Sequence, residues 1–220
     1  MVNVLRFFSF NKLESEVYTG ETYEWGVSNL IDFDWKKILT PPPKNSSETT
    51  KRELELIQNE TNNRNRKDLF LVYGHDEDID QYYIDLMKKN RLIYPQPYID
   101  FFYNVTRPVL MNLKNYYNRP RPIQLAKYYD LNLDVIVTQT IHTPSYPSGH
   151  TFYSALVANI LSDKYPSLKN KFEKIKLDTA KARIKQGVHY PSDNNASVEL
   201  AEYVYQQLKI KVNKIFLSKS

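Results

Sequence analysis

The stretch Ser145-Tyr146-Pro147-Ser148-Gly149-His150-Thr151 stands directly before an apolar segment with helical spacing. In that segment Phe152, Leu156 and Ile160 follow one another four residues apart, which predicts a helix over 149–163 with one apolar face. The quoted stretch therefore marks the place where a loop turns into a buried helix.

Most of the remaining chain shows the same helical periodicity. Further helices are predicted at 44–66, 76–90, 97–118, about 168–187 and 192–208. Ser46 or Ser47 is the predicted N-cap of the first, which we expect to be mostly solvated, and Ser192 that of the last. Residues 123–147 are interpreted as a long connection that is extended at Val135-Ile136-Val137. With five glycines and few alternating segments, the sequence predicts an all-α helical bundle.

Length and composition favour one folded domain. The chain has 220 residues, of which 41% are hydrophobic and 14% aromatic, enough for a single core. We divide it into an irregular and helical N-terminal extension, 1–70, and a helical core, 71–212, within the single domain 1–220. The walls that select a substrate are expected from 1–40 and 123–147.

Charge and cysteine content exclude several classes of function. The net charge is +5, but lysine and arginine alternate with acidic residues, which argues against nucleic-acid binding. The absence of cysteine excludes disulfides, thiol nucleophiles and thiolate metal sites. No stretch approaches the roughly 18 apolar residues of a membrane span, and the N-terminus lacks a signal-peptide pattern. We expect a non-exported, cytoplasmic protein; whether it is a homo-oligomer is left open.

The quoted stretch also has the composition of an anion site. Ser148 can cap the helix, Gly149 lets the backbone approach an anion closely, and His150 lies in the first turn. A helix N-terminus favours anions. The alternative is a plain turn and cap, with His150 as a capping or core histidine.

Two other segments carry basic and histidine residues at fixed spacing. Six residues separate Lys114 from Arg121, which precedes a proline; Arg119 is the rival of Arg121 but lacks that interval and is expected on the rim.

The third segment contains Arg183, His189 and Asp193, with five and then three intervening residues. A carboxylate four residues from a histidine, across a turn containing Pro191, can hold one imidazole N–H and leave the other nitrogen facing a substrate. The alternative is a surface arginine, a loop histidine and an acid that suits a helix dipole.

The combination K-x6-R-P, P-S-G-H and R-x5-H-x3-D resembles the type 2 phosphatidic acid phosphatase superfamily, which includes the vanadium haloperoxidases. Residues 145–151 look most like the soluble class A bacterial acid phosphatases, and the resemblance covers about 97–208. It implies an all-α, single-domain bundle of the acid phosphatase/haloperoxidase type.

The resemblance also implies roles for individual residues. The histidine matching His189 attacks phosphorus and forms a phosphohistidine, Asp193 orients it, and His150 protonates the leaving alcohol and then activates water. The implied phosphate ligands are Lys114, Arg121, Ser148, Gly149 and Arg183.

These features predict a metal-independent phosphomonoester hydrolase that needs no cofactor, acts on a small-molecule phosphomonoester and can transfer phosphate to alcohols. The alternatives are a vanadium-dependent haloperoxidase and a non-catalytic basic module that binds anions. Ala182 stands where the family commonly has serine, and we expect weaker or altered phosphate binding. His75 with Asp76, and His142, are interpreted as structural or rim residues without a metal-ligand pattern.

Overall fold

The computed structural model describes residues 13–18, 25–138 and 141–217, with side chains up to 215. Its helices are α1 (Glu48–Asn62), α2 (Arg66–Glu77), α3 (Ile79–Lys89), α4 (Gln96–Tyr117), α5 (Pro122–Ala126), α6 (Gly149–Lys164), α7 (Lys169–Gln186) and α8 (Pro191–Leu217). No β-strand occurs in these ranges, so the predicted all-α class is confirmed. The expectations for 1–40 fall partly on residues outside them.

Helix α6 lies at the centre of the molecule. It packs against α7 and α8 along its length and against α3 and α4 at other faces. Leu156, Val157 and Leu161 on this helix are fully buried. Because α6 is buried on several sides, its first turn at Gly149 is held in a fixed place by the core.

Helix α1 has one buried face, and its other residues are exposed or partly exposed, as expected of a mostly solvated helix. Leu54 and Ile57 are fully buried and belong to a second apolar cluster with Leu125 and Tyr190. Ser47 is confirmed as the N-cap, because its hydroxyl accepts a hydrogen bond from the Thr50 N–H at 3.2 Å. The N-terminal segment from Glu48 onward is therefore part of the packed body.

The predicted helix 76–90 is wrong at its start. Asp78 has an extended backbone and separates α2 from α3, and its carboxylate caps α3 by accepting from the Asp80 and Gln81 N–H groups. A residue whose side chain competes for backbone donors favours a cap over a helix interior. Asp76 consequently lies at the end of α2.

Other boundaries differ in smaller ways. Helices α2 and α5 were not predicted; α5 lies within the expected connection 123–147, and α8 begins at Pro191, one residue before the predicted cap. The segment 131–138 forms neither helix nor strand, so Val135-Ile136-Val137 lies in a loop as expected, and the Ile136 N–H donates to the Gln186 carbonyl at 3.0 Å.

The central position of α6 predicts an asymmetry between two leucines. Leu156→Ala should lower the free energy of unfolding by about 2–5 kcal/mol, because it leaves a cavity in a fully buried site. Leu177→Ala on α7 is the matched control, since Leu177 is 62% exposed, and should change stability by less than about 0.5 kcal/mol. Equal losses in urea unfolding would show that α6 is not the centre of the core.

Candidate active site

Five of the predicted residues line one cavity of about 670 Å³. Lys114 comes from α4, Arg121 from the start of α5, Gly149 and His150 from the first turn of α6, and His189 from the turn before α8. The three sequence segments therefore meet, although they are separated along the chain. Asp193, Arg183 and Ser148 lie behind this lining layer.

Asp193 is the buried anchor of the site. Its side chain is fully buried, and one carboxylate oxygen accepts from the Ser145 hydroxyl at 2.5 Å, the Tyr190 N–H at 3.0 Å and His189 Nδ1 at 3.1 Å. The other oxygen accepts from Arg119 at 2.6 Å. Burial opposes ionisation, but Arg119, His189 and Ser145 outweigh it and hold the pKa of Asp193 below its usual value. The carboxylate is therefore charged and fixed.

Both nitrogens of His189 have assigned partners. Nδ1 faces Asp193, and Nε2 lies 2.9 Å from Nη1 of Arg121, a nitrogen that can only donate a hydrogen bond. This arrangement requires a proton on Nδ1 and a lone pair on Nε2. Burial and then Arg121 keep the pKa of His189 well below its ordinary value, so the ring is neutral at neutral pH. A neutral imidazole with a lone pair at the cavity can act as a nucleophile.

Lys114 and Arg121 are buried cations that meet backbone oxygens. Lys114 Nζ donates to the Pro144 carbonyl at 2.7 Å, and Arg121 donates to the Thr143 and Val188 carbonyls at 2.9 and 2.8 Å. Neither forms an ion pair with a residue in the described part of the chain. Burial lowers the pKa of both, and so does a neighbouring cation: Arg121 in the case of Lys114, and Arg183 in the case of Arg121, whose pKa falls to about 10. An anion in the cavity would relieve this repulsion.

His150 and Arg183 meet at Asp76. Arg183 donates to the Asp76 carboxylate at 2.5 Å, while His150 Nε2 lies 3.3 Å from the Asp76 carbonyl oxygen and 3.8 Å from a carboxylate oxygen. Burial and the charge of Arg183 lower the pKa of His150 to about 3. The imidazole is therefore neutral in the protein alone, and a nearby anion is needed to raise its pKa.

Ser148 precedes the first turn of α6 but does not cap it through its side chain. The Ser148 hydroxyl donates to Thr151 Oγ1 at 3.1 Å, its N–H donates to the Asp193 carbonyl, and the residue is fully buried. A Cβ on Gly149 would extend toward Leu110 and Lys114, at 3.8 and 3.9 Å, and so into the cavity wall. The glycine thus keeps space beside the lysine.

The expectation that Arg119 lies on the rim is wrong. It is 2% exposed, donates to Ser192 and to Asp193, forms an ion pair with Glu53 at 3.3 Å and lies 3.8 Å over the Tyr190 ring. Burial opposes its charge, but Asp193, Tyr190 and Glu53 raise the pKa of Arg119. The repeated Arg-Pro in 118–122 was a signal for this second arginine.

Sequence reasoning missed three further residues. Ser145 binds Asp193 directly, Glu53 reaches Arg119 from α1, and Asp76 reaches Arg183 from α2. Ser145 was part of the quoted stretch. Glu53 had no sequence signal, because its role depends on how α1 packs.

The two remaining histidines lie away from the cavity lining. His75 is buried, contacts Thr179 Oγ1 at 3.0 Å and stacks on Tyr82, and burial lowers its pKa to about 4. His142 is exposed. Both agree with the expected structural and rim positions. In the described ranges, no three His, Asp or Glu side chains are grouped so that they could hold a metal ion.

Comparison with known proteins identifies the family. The family model described as PAP2 superfamily matches residues 99–208, which contain all the predicted site residues. The chain belongs to the PAP2 superfamily. No curated protein matches it. All three motif segments of this PAP2 chain lie within the matched range.

Two solved structures share the PAP2 fold with this chain. One is a transmembrane PAP2-type phosphatidylglycerolphosphate phosphatase from Bacillus subtilis, with 16% identity, a TM-score of 0.52 and coverage of 77% of this chain and 89% of that one. The other is LpxE from Aquifex aeolicus, with 23% identity, a TM-score of 0.53 and coverage of 71% and 94%. Within the described residues of this PAP2 chain, no helix has the length and apolar character to cross a bilayer.

The charges around His150 predict a ligand-linked titration. Inorganic phosphate should raise the pKa of His150 from about 3 by at least one unit, because a nearby anion favours the protonated ring. The measurement is an NMR titration of the imidazole resonances, with His150→Gln to assign them. A pKa that stays fixed or falls on adding phosphate would show that the anion does not bind beside His150.

Proposed function

We propose that this PAP2 protein is a phosphomonoesterase that cleaves small-molecule phosphate esters through a phosphohistidine at His189. The observation that supports it most is the pairing of two buried cations, Lys114 and Arg121, with backbone carbonyls at the cavity that also holds His189. Buried cations without a carboxylate partner carry a large desolvation cost, which a phosphate dianion offsets. The soluble acid phosphatase type is part of this proposal.

The first chemical step forms a bond between His189 and phosphorus. The Nε2 lone pair attacks phosphorus as the bond from phosphorus to the leaving oxygen breaks, and His150 gives its proton to that oxygen. Asp193 holds the Nδ1 proton and stabilises the positive ring that results. In this proposal Lys114 and Arg121 stabilise the charge that develops on the equatorial oxygens.

The second step restores the enzyme. His150, now neutral, takes a proton from water; the hydroxide attacks phosphorus, and the bond between phosphorus and Nε2 breaks to release phosphate. An alcohol in place of water yields phosphate transfer. His150 returns to its protonated state in this step, so proton and charge balance over the cycle.

Substrate binding must redirect two arginines. Arg121 donates to the lone pair of His189 that attack requires, and Arg183 donates to Asp76. A phosphate with three oxygens offers both guanidinium groups stronger, bidentate acceptors. When Arg121 donates to the phosphate and no longer to His189, the Nε2 lone pair becomes available to attack the bound phosphorus.

The direct test is hydrolysis of 4-nitrophenyl phosphate in EDTA. We expect turnover to persist in the chelator and vanadate to inhibit it as a mimic of the five-coordinate transition state. With a ³²P-labelled substrate, we expect a labelled phosphoenzyme that survives an alkaline quench in detergent, because the P–N bond of phosphohistidine is stable in alkali and labile in acid. His189→Ala should remove the label, because the attacking nitrogen is gone. The solvent-exposed His142→Ala is the matched control and should retain it. Loss of activity in EDTA that a divalent ion restores would overturn the metal-free mechanism.

The anchoring carboxylate can be tested separately. Asp193→Asn should lower kcat by on the order of a hundredfold or more, because the amide does not fix the Nδ1 proton. The loss of an orienting carboxylate in other histidine sites lowers kcat by up to ~10⁴-fold. Asp85→Asn on α3 makes the same change at an exposed site and should leave kcat unchanged. Circular dichroism checks that both variants fold; near-normal kcat in a folded Asp193→Asn protein would contradict the assigned role of His189.

A further inference from the structure

The cavity is much larger than a phosphate group needs. Its volume of about 670 Å³ falls within the range of sites that enclose whole organic ligands. Besides the site residues and a few polar side chains such as Asn104, its lining contains five aromatic and aliphatic side chains, namely Ile79, Tyr103, Leu110, Met111 and Tyr153. The Tyr103 and Tyr153 rings meet edge to face at 4.6 Å. The leaving group therefore enters an apolar, aromatic compartment.

One face of α4 forms the wall of that compartment. Lys114, Arg107 and Asp100 line the cavity at intervals of seven residues, which is about two helical turns, or ~10 Å, between neighbours. Lys114 is 3% exposed at the inner end, whereas Arg107 is solvent-exposed. Going outward, the wall presents a cation, then Leu110 and Met111, then a second cation.

Arg107 lines the cavity and packs on an aromatic ring, although its side chain is exposed. Its guanidinium lies 5.2 Å from the centre of the Trp25 ring, a stacking distance for a cation on an aromatic face. The Trp25 backbone is fixed to α4 by two 2.8 Å hydrogen bonds with the Asn112 side chain. Burial raises the pKa of the cavity residue Tyr153 to about 12, and the charge of Arg107 opposes that rise. The positive charge thus acts on the cavity interior.

We propose that Arg107 recognises a second anionic group on the leaving group, about two helical turns from the phosphate that is cleaved. The preferred substrates are then aryl or similarly apolar phosphomonoesters that end in a carboxylate or another phosphate. Asp100, two turns farther out, disfavours an anion beyond Arg107 and so limits the length of the substrate. This inference rests on the proposed phosphatase function, since it places the cleaved phosphate at Lys114.

The test compares two aryl phosphates that differ only at the far end. The phosphate monoester of 3-(4-hydroxyphenyl)propanoate carries a carboxylate, and that of the corresponding propanamide is neutral there. Two methylene groups separate this end from the ring, so both have nearly the same leaving group. We expect wild-type kcat/KM to favour the carboxylate by about fivefold or more, as for one charge-assisted contact.

Variants at Arg107 separate charge from general packing. Arg107→Gln should bring the ratio of the two kcat/KM values close to one, and Arg107→Glu should reverse it. Arg66→Gln is the matched control, because Arg66 is also exposed and lies over an aromatic ring, Phe70, at 5.8 Å, but is outside the cavity lining. It should keep the wild-type ratio. A wild-type ratio of one, or a ratio that survives Arg107→Gln, would overturn the inference.

A binding measurement separates this inference from the proposed function. Calorimetry on His189→Ala, with and without Arg107→Gln, measures the affinities for the two compounds. The ratio of these affinities reports the preference for the carboxylate without turnover. Failure of the wild type to hydrolyse either compound counts against the phosphatase function. Equal affinities of His189→Ala for the two compounds count against Arg107.

Discussion

The burial of one ionised carboxylate constrains the rest of this structure. A charged carboxylate without hydrogen-bond donors costs several kcal/mol in a protein interior, so Asp193 must be fully satisfied. Its donors Arg119, Ser145, Tyr190 and His189 come from three separate parts of the chain. The fold can complete this shell only by bringing the three segments together, so core packing and site geometry depend on the same contacts.

Sequence spacing predicted the contents of the cavity but not its supporting shell. Lys114, Arg121, His150 and His189 were identified because the spacing of their motifs resembles that of a known phosphatase superfamily, and all four line one cavity. The all-α class followed from periodicity along the chain. Arg119 was misplaced because no local pattern shows that both neighbouring arginines are buried, Arg121 at the cavity and Arg119 beside Asp193.

Long-range partners were beyond the reach of periodicity. Asp76 was assigned to the start of a helix, and the break at Asp78 moved it to the end of the preceding one, where it meets Arg183. Glu53 was placed on a helix expected to be solvated. In both cases the acidic residue is visible in the sequence, but its partner depends on how two helices pack. Helix packing depends on the burial of many side chains at once and has no local sequence pattern.

The site also draws on residues beyond the segment that defines its family. The matched region starts at residue 99, yet the carboxylates that balance Arg119 and Arg183 are Glu53 and Asp76 on α1 and α2. A fragment trimmed to 99–208 would contain every signature residue, but Arg183 would lose its partner Asp76, and Arg119 would lose Glu53 and keep Asp193. Such a fragment would therefore be less stable than the full chain, because α1 and α2 supply carboxylates that offset positive charge at the site.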